Sequence, residues 1–179
     1  ANDMKIKTLI VVALEDEFEP SNIAEGAAVT YTGVGKVNAA MRLSKVLAEN
    51  QIEKVINYGT AGGGKPEQVG KLYSISKICE RDMDTQPLGT APYQTPGEDH
   101  VWIETANHNG RATLGTGDSF AEPNGDYDLV DMEAYALAKV CHHFGVSFYC
   151  YKYVSDTGSA ADWKENVRKG EKLFRMLLT

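Results

Sequence analysis

Three short apolar runs rich in β-branched residues alternate with amphipathic segments, and this alternation most restricts the fold. The runs are Thr8–Leu14, Lys54–Tyr58, which ends abruptly at Gly59, and Val146–Val154. Continuous apolar runs of this length are typical of strands covered on both faces by helices. Strands that alternate with helices predict an α/β fold with a twisted sheet that is largely parallel.

Helical periodicity marks three of the segments between and after these runs. The first helix is predicted from an apolar stripe of Ala39, Leu43, Val46 and Leu47. The second is predicted from Met132, Tyr135, Ala136, Val140 and Phe144, with Gly145 as its C-cap. The third is predicted as one helix through Trp163, Val167, Gly170, Phe174 and Leu177, with Asp162 as N-cap and Glu165 in a capping box. Residues 80–112 are predicted to be loops with one or two short strands.

Length and charge exclude several classes of protein. The 179 residues match one domain, 1–179, without an internal repeat. A formal net charge of −7 and the lack of a Lys/Arg cluster argue against nucleic acid as a partner. The longest apolar run covers only about a third of a membrane-spanning helix and lacks a cleavage site, so we expect neither a membrane span nor a signal peptide.

The cysteines indicate a reducing compartment. Cys79, Cys141 and Cys150 are odd in number and show no CxxC spacing. Reduced thiols in a cytoplasmic protein are therefore the expectation.

Three motifs are weaker than they first look. Gly59–Pro66 has the spacing of a nucleotide-triphosphate loop, but Pro66 replaces the hydroxyl residue that holds magnesium. Gly33-Val34-Gly35 lacks the third glycine of a dinucleotide fingerprint, which favours a tight turn before a helix. His142 and His143 are adjacent, about 100° apart on a helix, and so do not share a metal site. We expect no metal and no cofactor.

Acidic residues follow the predicted strands and offer a stronger signal. Glu15, Asp16 and Glu17 follow the first run, Glu133 begins the second helix, and Asp156 follows the third run. Taken singly, such residues are usually solvated helix starts, first-turn carboxylates or caps. Carboxylates that arrive at one sheet edge from separate segments suit acid/base chemistry on a small polar substrate.

Six motifs stand in a recognisable order from residue 13 to residue 156. They are Ala13–Glu17, Thr32–Ala40, Ile56–Gly63, Gly115–Phe120, Val130–Ala134 and Val154–Asp156. This succession resembles the purine nucleoside phosphorylase superfamily and, within it, the 5′-methylthioadenosine/S-adenosylhomocysteine nucleosidases. The resemblance implies a three-layer α/β/α sandwich around a mixed, twisted sheet. It also implies hydrolysis of the bond between adenine and a 5′-substituted ribose.

The resemblance also implies roles for individual residues. Asp156 matches the general acid at purine N7, which Ser155 orients, and Glu17 matches the residue that positions and deprotonates water. Glu133 matches the carboxylate that binds the ribose 2′- and 3′-hydroxyls. The remaining expected substrate-binding residues are Met132 under the sugar, Phe120 stacked on the purine, Thr32 near water and ribose, Lys152 where the family usually has an arginine near Glu133, and Gly33, Ser119 and Asp131.

Alternatives to hydrolysis remain at this stage. A phosphorylase generally holds phosphate with arginines, whereas Asn57 stands at one such position and carboxylates follow the first strand, which favours water as nucleophile. A phosphate-dependent phosphorylase and a non-catalytic purine-binding module are the competing hypotheses. Segments 18–31 and 84–110 are shorter than is usual in the family, so another 5′ group, a plain nucleoside or a nucleotide is an alternative substrate. The expected partners are a small-molecule purine nucleoside and a second copy of the chain, in a homodimer.

Overall fold

The computed structural model describes residues 4–178, and within them eight strands form one mixed sheet. The strands are β1 (Met4–Val12), β2 (Ala27–Tyr31), β3 (Asn50–Gly63), β4 (Leu72–Glu80), β5 (Ile103–Glu104), β6 (Ala112–Thr116), β7 (Leu129–Asp131) and β8 (Ser147–Asp156). The helices are α1 (Lys36–Glu49), α2 (Ala134–Phe144), α3 (Ala160–Asn166) and α4 (Glu171–Leu177), with 3₁₀ turns at Pro66–Gln68 and Gln86–Leu88.

The predicted mixed, largely parallel sheet is confirmed. Strand β1 pairs in parallel with β2 and β3, β3 with β8, β4 with β6, and β6 with β7. The pairs β3–β7, β4–β5 and β4–β8 are antiparallel. Strands β3, β8, β4, β6 and β7 therefore form a closed ring of pairings, which the sequence analysis did not predict.

Apolar residues cover the two faces of the sheet in separate clusters. On one face α1 and α2 contribute Leu43 and Leu137 to the larger cluster, which continues into β1 and β8. On the other face Phe18, Tyr58 and Phe174 pack together, so that α4 and the segment after β1 form a second outer layer. The expected three-layer α/β/α arrangement is confirmed.

Three strands end at other residues than predicted. Strand β1 ends at Val12, two residues early, and β8 runs to Asp156 rather than Val154. Strand β3 does not end at Gly59 but continues to Gly63. A Cβ atom at Gly59 would lie 3.0 Å from Lys152 Nζ and 3.1 Å from Glu17 Oε2, so glycine here admits buried side chains rather than ending the strand.

The predicted last helix is wrong in its continuity and its cap. It is divided into α3 and α4, and the Ser159 hydroxyl, not Asp162, caps α3 by accepting a hydrogen bond from Asp162 N at 3.2 Å. Residues 167–170 separate the two helices, and a Cβ atom at Gly170 would collide with Tyr58 Oη. Close packing on the sheet therefore replaces the predicted continuous helix, although Gly170 and Phe174 do share a buried face.

Two predicted turns are confirmed. Gly145 ends α2 in the left-handed conformation, with φ 70° and ψ 30°. Gly33 and Gly35 have φ values of 82° and 100° and form the turn directly before α1. Among residues 4–178, no helix has both the length and the apolar character that crossing a membrane requires.

We expect Phe174→Ala to lower the free energy of unfolding by about 3–5 kcal/mol, because it empties a fully buried site. Phe174 stacks on Tyr58 with ring centroids 4.4 Å apart and meets the Phe18 ring edge-on at 5.6 Å. Denaturant unfolding measures the change. The control is Leu173→Ala at the exposed neighbouring position, expected within about 0.5 kcal/mol of the natural chain. Equal losses in the two variants would contradict this packing.

Candidate active site

A cavity of about 350 Å³ lies where β1, β3 and β8 end. Four acidic side chains line it: Glu17, Asp131, Glu133 and Asp156. All four residues are at most 8% exposed. Burial of this many carboxyl groups costs free energy unless each finds partners, so the partners define the site.

Glu17 lies in the turn after β1 and is held at both oxygen atoms. Oε1 accepts a hydrogen bond from Leu14 N at 3.1 Å. Oε2 accepts from Thr60 N at 2.7 Å and from Thr60 Oγ1 at 2.9 Å, which ties Glu17 to β3. Burial raises the pKa of Glu17, and Lys152 and the Thr60 donors oppose that rise. Glu17 is therefore a fixed, buried carboxyl group suited to proton transfer.

Asp156 closes β8 and is also held at both oxygen atoms. Ser155 Oγ donates to Asp156 Oδ2 at 2.7 Å, and Gly158 N donates to Oδ1 at 2.8 Å. The Ser155 carbonyl in turn accepts from Asn166 Nδ2 at 2.9 Å, which joins this corner to α3. The carboxyl group of Asp156 is thus oriented by its neighbours and faces the cavity.

A buried ion pair lies beside these two acids. Lys152 Nζ is 3.2 Å from Asp131 Oδ2, and both side chains are 1% exposed. Burial alone would lower the pKa of Lys152, but Asp131 and the nearby carboxylates Glu133 and Glu17 outweigh it and raise the pKa above its ordinary value. Lys152 is therefore a permanent cation under the cavity.

Asp131 also organises the start of α2. Its Oδ2 accepts from Ala134 N at 2.8 Å and from Glu133 N at 3.2 Å, and its Oδ1 accepts from Thr116 Oγ1 at 2.5 Å. These contacts satisfy backbone donors at the helix start. Asp131 thus connects β6, α2 and Lys152.

Glu133 faces the cavity from the position just before α2. Its Oε2 accepts from Gly35 N at 2.9 Å, which places the glycine turn before α1 against the site. Burial and the neighbouring Asp131 raise the pKa of Glu133 to about 8, although Lys152 opposes the rise. The raised pKa of Glu133 thus follows from its burial beside a second carboxylate.

The structure brings most, but not all, of the predicted site residues to the cavity surface. Those that line it are Glu17, Ser119, Phe120, Asp131, Met132, Glu133 and Asp156. Phe120 is 53% exposed, so much of this residue remains accessible. Thr32, Gly33, Lys152 and Ser155 are not part of the lining, and Thr32 Oγ1 donates to Gly33 O at 2.7 Å. Glu15 and Asp16 are exposed outside the site.

Thr60, Trp163 and Arg81 line the cavity, although the sequence analysis gave them no role in the site. Thr60 and Trp163 join the cavity wall, with Trp163 Nε1 donating to Thr60 Oγ1 at 3.0 Å. Arg81 lies at the other wall, and its guanidinium donates to the carbonyls of Gly115, Gly117, Ser119 and Asp131 and to Ser119 Oγ. The Gly59–Gly62 motif could have signalled Thr60, whereas Trp163 was interpreted only as part of an apolar stripe.

Two further points concern whether the site could bind phosphate or a metal ion. Asn57 Nδ2 donates to Val11 O at 2.9 Å and to Tyr58 O at 3.3 Å, inside the sheet and away from the cavity surface. In the part of the chain that the structure describes, no group of three or more His, Cys, Asp and Glu side chains could hold a metal ion.

Comparison with known proteins places this geometry in a family. The sequence profile described as "Phosphorylase superfamily" matches residues 15–117 and 121–179. The chain belongs to the phosphorylase superfamily. Its strands, its cavity and its four buried acids are therefore those of a superfamily member.

Sequence relatives within the superfamily are named 5′-methylthioadenosine/S-adenosylhomocysteine nucleosidase. The protein from Anoxybacillus flavithermus is 32% identical over 164 residues, which cover 76% of this chain and 71% of the relative. The protein from Bacillus cytotoxicus is 31% identical over 183 residues, covering 80% and 79%. In the Marinomonas relative the chain covers 65% of the length, at 32% identity. The chain thus spans about two thirds to four fifths of these relatives.

Solved structures share the fold at low sequence identity. A Helicobacter pylori 5′-methylthioadenosine/S-adenosyl homocysteine nucleosidase has a TM-score of 0.84 and 17% identity, covering 98% of this chain and 99% of that one. A Colwellia psychrerythraea nucleosidase in complex with adenine has a TM-score of 0.81 and 20% identity, covering 94% and 91%. These likenesses confirm the nucleoside phosphorylase-like fold.

We expect Glu133→Gln to become increasingly more stable than the natural chain as pH rises from about 5 to 8. The unfolded chain ionises Glu133 near 4.5, whereas the folded chain holds this proton until about pH 8, so folding stability falls with pH across that window. Glutamine removes this dependence, which amounts to at most about 1.4 kcal/mol per pH unit. Thermal unfolding at pH 5, 6, 7 and 8 measures it.

The matched control is Glu53→Gln, at an exposed position near the start of β3. Its stability difference from the natural chain should stay constant over the same pH range. A constant difference for Glu133→Gln as well would contradict the raised pKa of Glu133.

Proposed function

We propose that this chain hydrolyses the N-glycosidic bond of adenine nucleosides of the 5′-methylthioadenosine and S-adenosylhomocysteine type, releasing adenine and a ribose derivative. The observation that carries the proposal is that Glu17, Glu133 and Asp156, from three separate segments, line one cavity. The names of the sequence relatives support the same reaction. The shorter segments 18–31 and 84–110 bear on which 5′ group is preferred.

In the proposed reaction Asp156 and Glu17 act on opposite ends of the bond change. Asp156 gives a proton to purine N7 while the C1′–N9 bond breaks, and the bonding electron pair stays with adenine. A water oxygen bonds to C1′, and the water proton passes to Glu17. This division of labour needs one carboxyl group protonated and the other ionised, each in a fixed orientation. The hydrogen bonds at both side chains supply the fixed orientation.

The charge of the cavity fits the transition state. Bond breaking before full attack leaves positive charge on the ribose, which negative side chains stabilise when they are already in place. The cavity is lined by four acidic residues and by two basic ones, Arg81 and Lys164. Since Asp156 carries the proton in this reaction, the ionised carboxylates nearest the sugar are Glu17 and Asp131. In this proposal Glu133 binds the ribose 2′- and 3′-hydroxyls, Met132 packs under the sugar, and Phe120 stacks on the purine.

The same charges favour water over phosphate as nucleophile. The guanidinium of Arg81 already donates to the carbonyls of Gly115, Gly117, Ser119 and Asp131. Asn57, at the position matched to a phosphate-binding arginine, is tied to the backbone of β1 and β3. Buried carboxylates also repel an anion. Hydrolysis is therefore proposed rather than phosphorolysis.

The assembly we propose is a homodimer of single-domain chains. Val34, Val37 and Met41 are 43%, 75% and 65% exposed, and together we name them the α1 apolar patch. Val34 also lines the cavity, so the patch continues the mouth of the site. A second copy covering the patch would remove apolar surface from water and narrow the cavity mouth. Three buried free thiols support a cytoplasmic location.

We expect Asp156→Asn to lower kcat/KM for adenine release by at least roughly a hundredfold, because asparagine cannot donate the proton. Chromatography of free base from methylthioadenosine measures the loss. Adenine should still bind, as calorimetry would record. Asp99→Asn, at a fully exposed carboxylate, is the control and should keep the natural rate. Full activity in Asp156→Asn would contradict the assigned role.

The substrate panel for the natural chain contains methylthioadenosine, S-adenosylhomocysteine, adenosine, inosine and AMP, each with and without phosphate. Adenine release that does not require phosphate is the expected result. Release only with phosphate would mean a phosphorylase, and adenine binding with no release from any substrate would mean a binding module.

We expect the double variant Val37→Lys/Met41→Lys to shift the chain from dimer to monomer, because two charges would be buried at the interface. Light scattering coupled to size-exclusion chromatography measures the mass. Leu88→Lys, which changes an equally exposed apolar residue in the turn Gln86–Leu88, should leave the mass unchanged. A natural chain that is already monomeric would contradict the proposed homodimer.

A further inference from the structure

Trp163 reaches the proposed base Glu17 through a single hydroxyl group. Trp163 lies on α3, half-buried, and lines the cavity. Its Nε1 is 3.0 Å from Thr60 Oγ1, and Thr60 Oγ1 is 2.9 Å from Glu17 Oε2. A chain of two hydrogen bonds therefore runs from α3 through β3 to the turn after β1.

The direction of this chain follows from the chemistry of its members. The indole N–H of Trp163 is a donor only, so the Thr60 hydroxyl must accept from it. The single proton of that hydroxyl is then free to point at Glu17, whose ionised carboxyl group is an acceptor only. The two hydrogen bonds thus run in one direction: Trp163 donates to Thr60, and Thr60 donates to Glu17. The second bond is charge-assisted.

The Thr60 hydroxyl stabilises the ionised form of Glu17, which burial disfavours. Glu17 is 4% exposed, and the loss of water favours its protonated form. Donors aimed at the ionised form work against this effect. Two of the donors come from Thr60, one of them the hydroxyl whose orientation Trp163 sets.

Other charged and titratable groups also face Glu17 and remain the same when Trp163 is changed. Lys152 on β8 lowers the pKa of Glu17. Glu133, just before α2, repels Glu17, and the Tyr58 hydroxyl on β3 also feels its charge. Leu14 N donates to the other carboxylate oxygen. A change in Glu17 after substitution of Trp163 therefore reports the Thr60 hydroxyl.

We propose that Trp163 is a positioning residue for the base: its indole N–H fixes the Thr60 hydroxyl with the proton toward Glu17, which keeps Glu17 oriented and ionised to activate water. The inference rests on the proposed nucleosidase function. The aromatic ring of Trp163 also forms cavity wall, so the N–H and the ring must be tested separately.

Trp163→Phe removes the donor and retains an aromatic wall, and Thr60→Val removes the hydroxyl and retains a β-branched side chain for β3. We expect each variant to lower kcat roughly three- to tenfold at pH 6, as loss of one hydrogen bond implies, with KM within about twofold. In both variants we expect Glu17 to ionise at a higher pH than in the natural chain. The loss of kcat should therefore shrink as pH rises and Glu17 becomes ionised in the variants too. A loss independent of pH in Trp163→Phe would overturn the proposal, because it would indicate a wall role only.

The double variant Trp163→Phe/Thr60→Val tests whether the two residues act through one path. Trp163 has nothing left to orient once the hydroxyl is gone, so the double variant should be no slower than Thr60→Val. Losses that multiply would overturn the proposal. Thr60→Ser keeps a hydroxyl and should keep most of the natural rate. Trp102→Phe, at the other tryptophan, whose ring contacts Lys77, should leave the rate unchanged.

A titration of Glu17 separates this inference from the proposed function. In protein labelled with ¹³C at glutamate carboxyl groups, NMR follows the Glu17 signal, which Glu17→Gln identifies by its loss. We expect the midpoint to rise in Trp163→Phe, in Thr60→Val and, by no more than in Thr60→Val, in the double variant. An unchanged midpoint in Trp163→Phe would overturn the inference whether or not the natural chain releases adenine. A natural chain that releases none would contradict the proposed function alone.

Discussion

The ion pair between Lys152 and Asp131 is the interaction on which the site depends. Two fully buried charges are costly unless they are close and further hydrogen-bonded, and Asp131 meets this need through Thr116 and the first N–H groups of α2. Gly59 leaves room for the ammonium group beside Glu17. Through Asp131, Lys152 thereby links β8 to β6 and α2 beneath the cavity. Its charge opposes the rise in pKa that burial causes at Glu17 and Glu133.

Lys152 does not neutralise the acids around it. Glu17, Asp131 and Glu133 all lie close enough to interact electrostatically with Lys152, so the floor of the cavity keeps an excess of acidic groups. This excess favours a ribose that develops positive charge and disfavours an anionic nucleophile. Burial and the neighbouring Asp131 in the same arrangement raise the pKa of Glu133. The same charged side chains therefore affect both the stability of the fold and the proposed catalysis.

The outer layer formed by α4 positions the segment that carries Glu17. Arg175 donates to Glu19 O at 2.6 Å and to Ser21 O at 2.7 Å, and its guanidinium lies over the Phe18 ring. Arg168 donates to Glu15 O at 2.8 Å. These contacts hold the backbone on both sides of Glu17, while Thr60 and Leu14 hold its carboxyl group. The last helix and the turn that precedes it thus restrain the segment around Glu17, which lies far earlier in the chain.

By itself the sequence determined the α/β class, through apolar runs of strand length alternating with helical stripes, and the order of its motifs pointed to the family and to Glu17, Glu133 and Asp156. Local periodicity reports which face of an element is buried but not which distant strand it pairs with. The ring closed by the three-residue β7 and the division of the last helix at Gly170 therefore came only from the tertiary structure. Packing also decided that Glu17, not Glu15, is buried and that Trp163 reaches the site, because burial and hydrogen-bond partners depend on segments far apart in the chain.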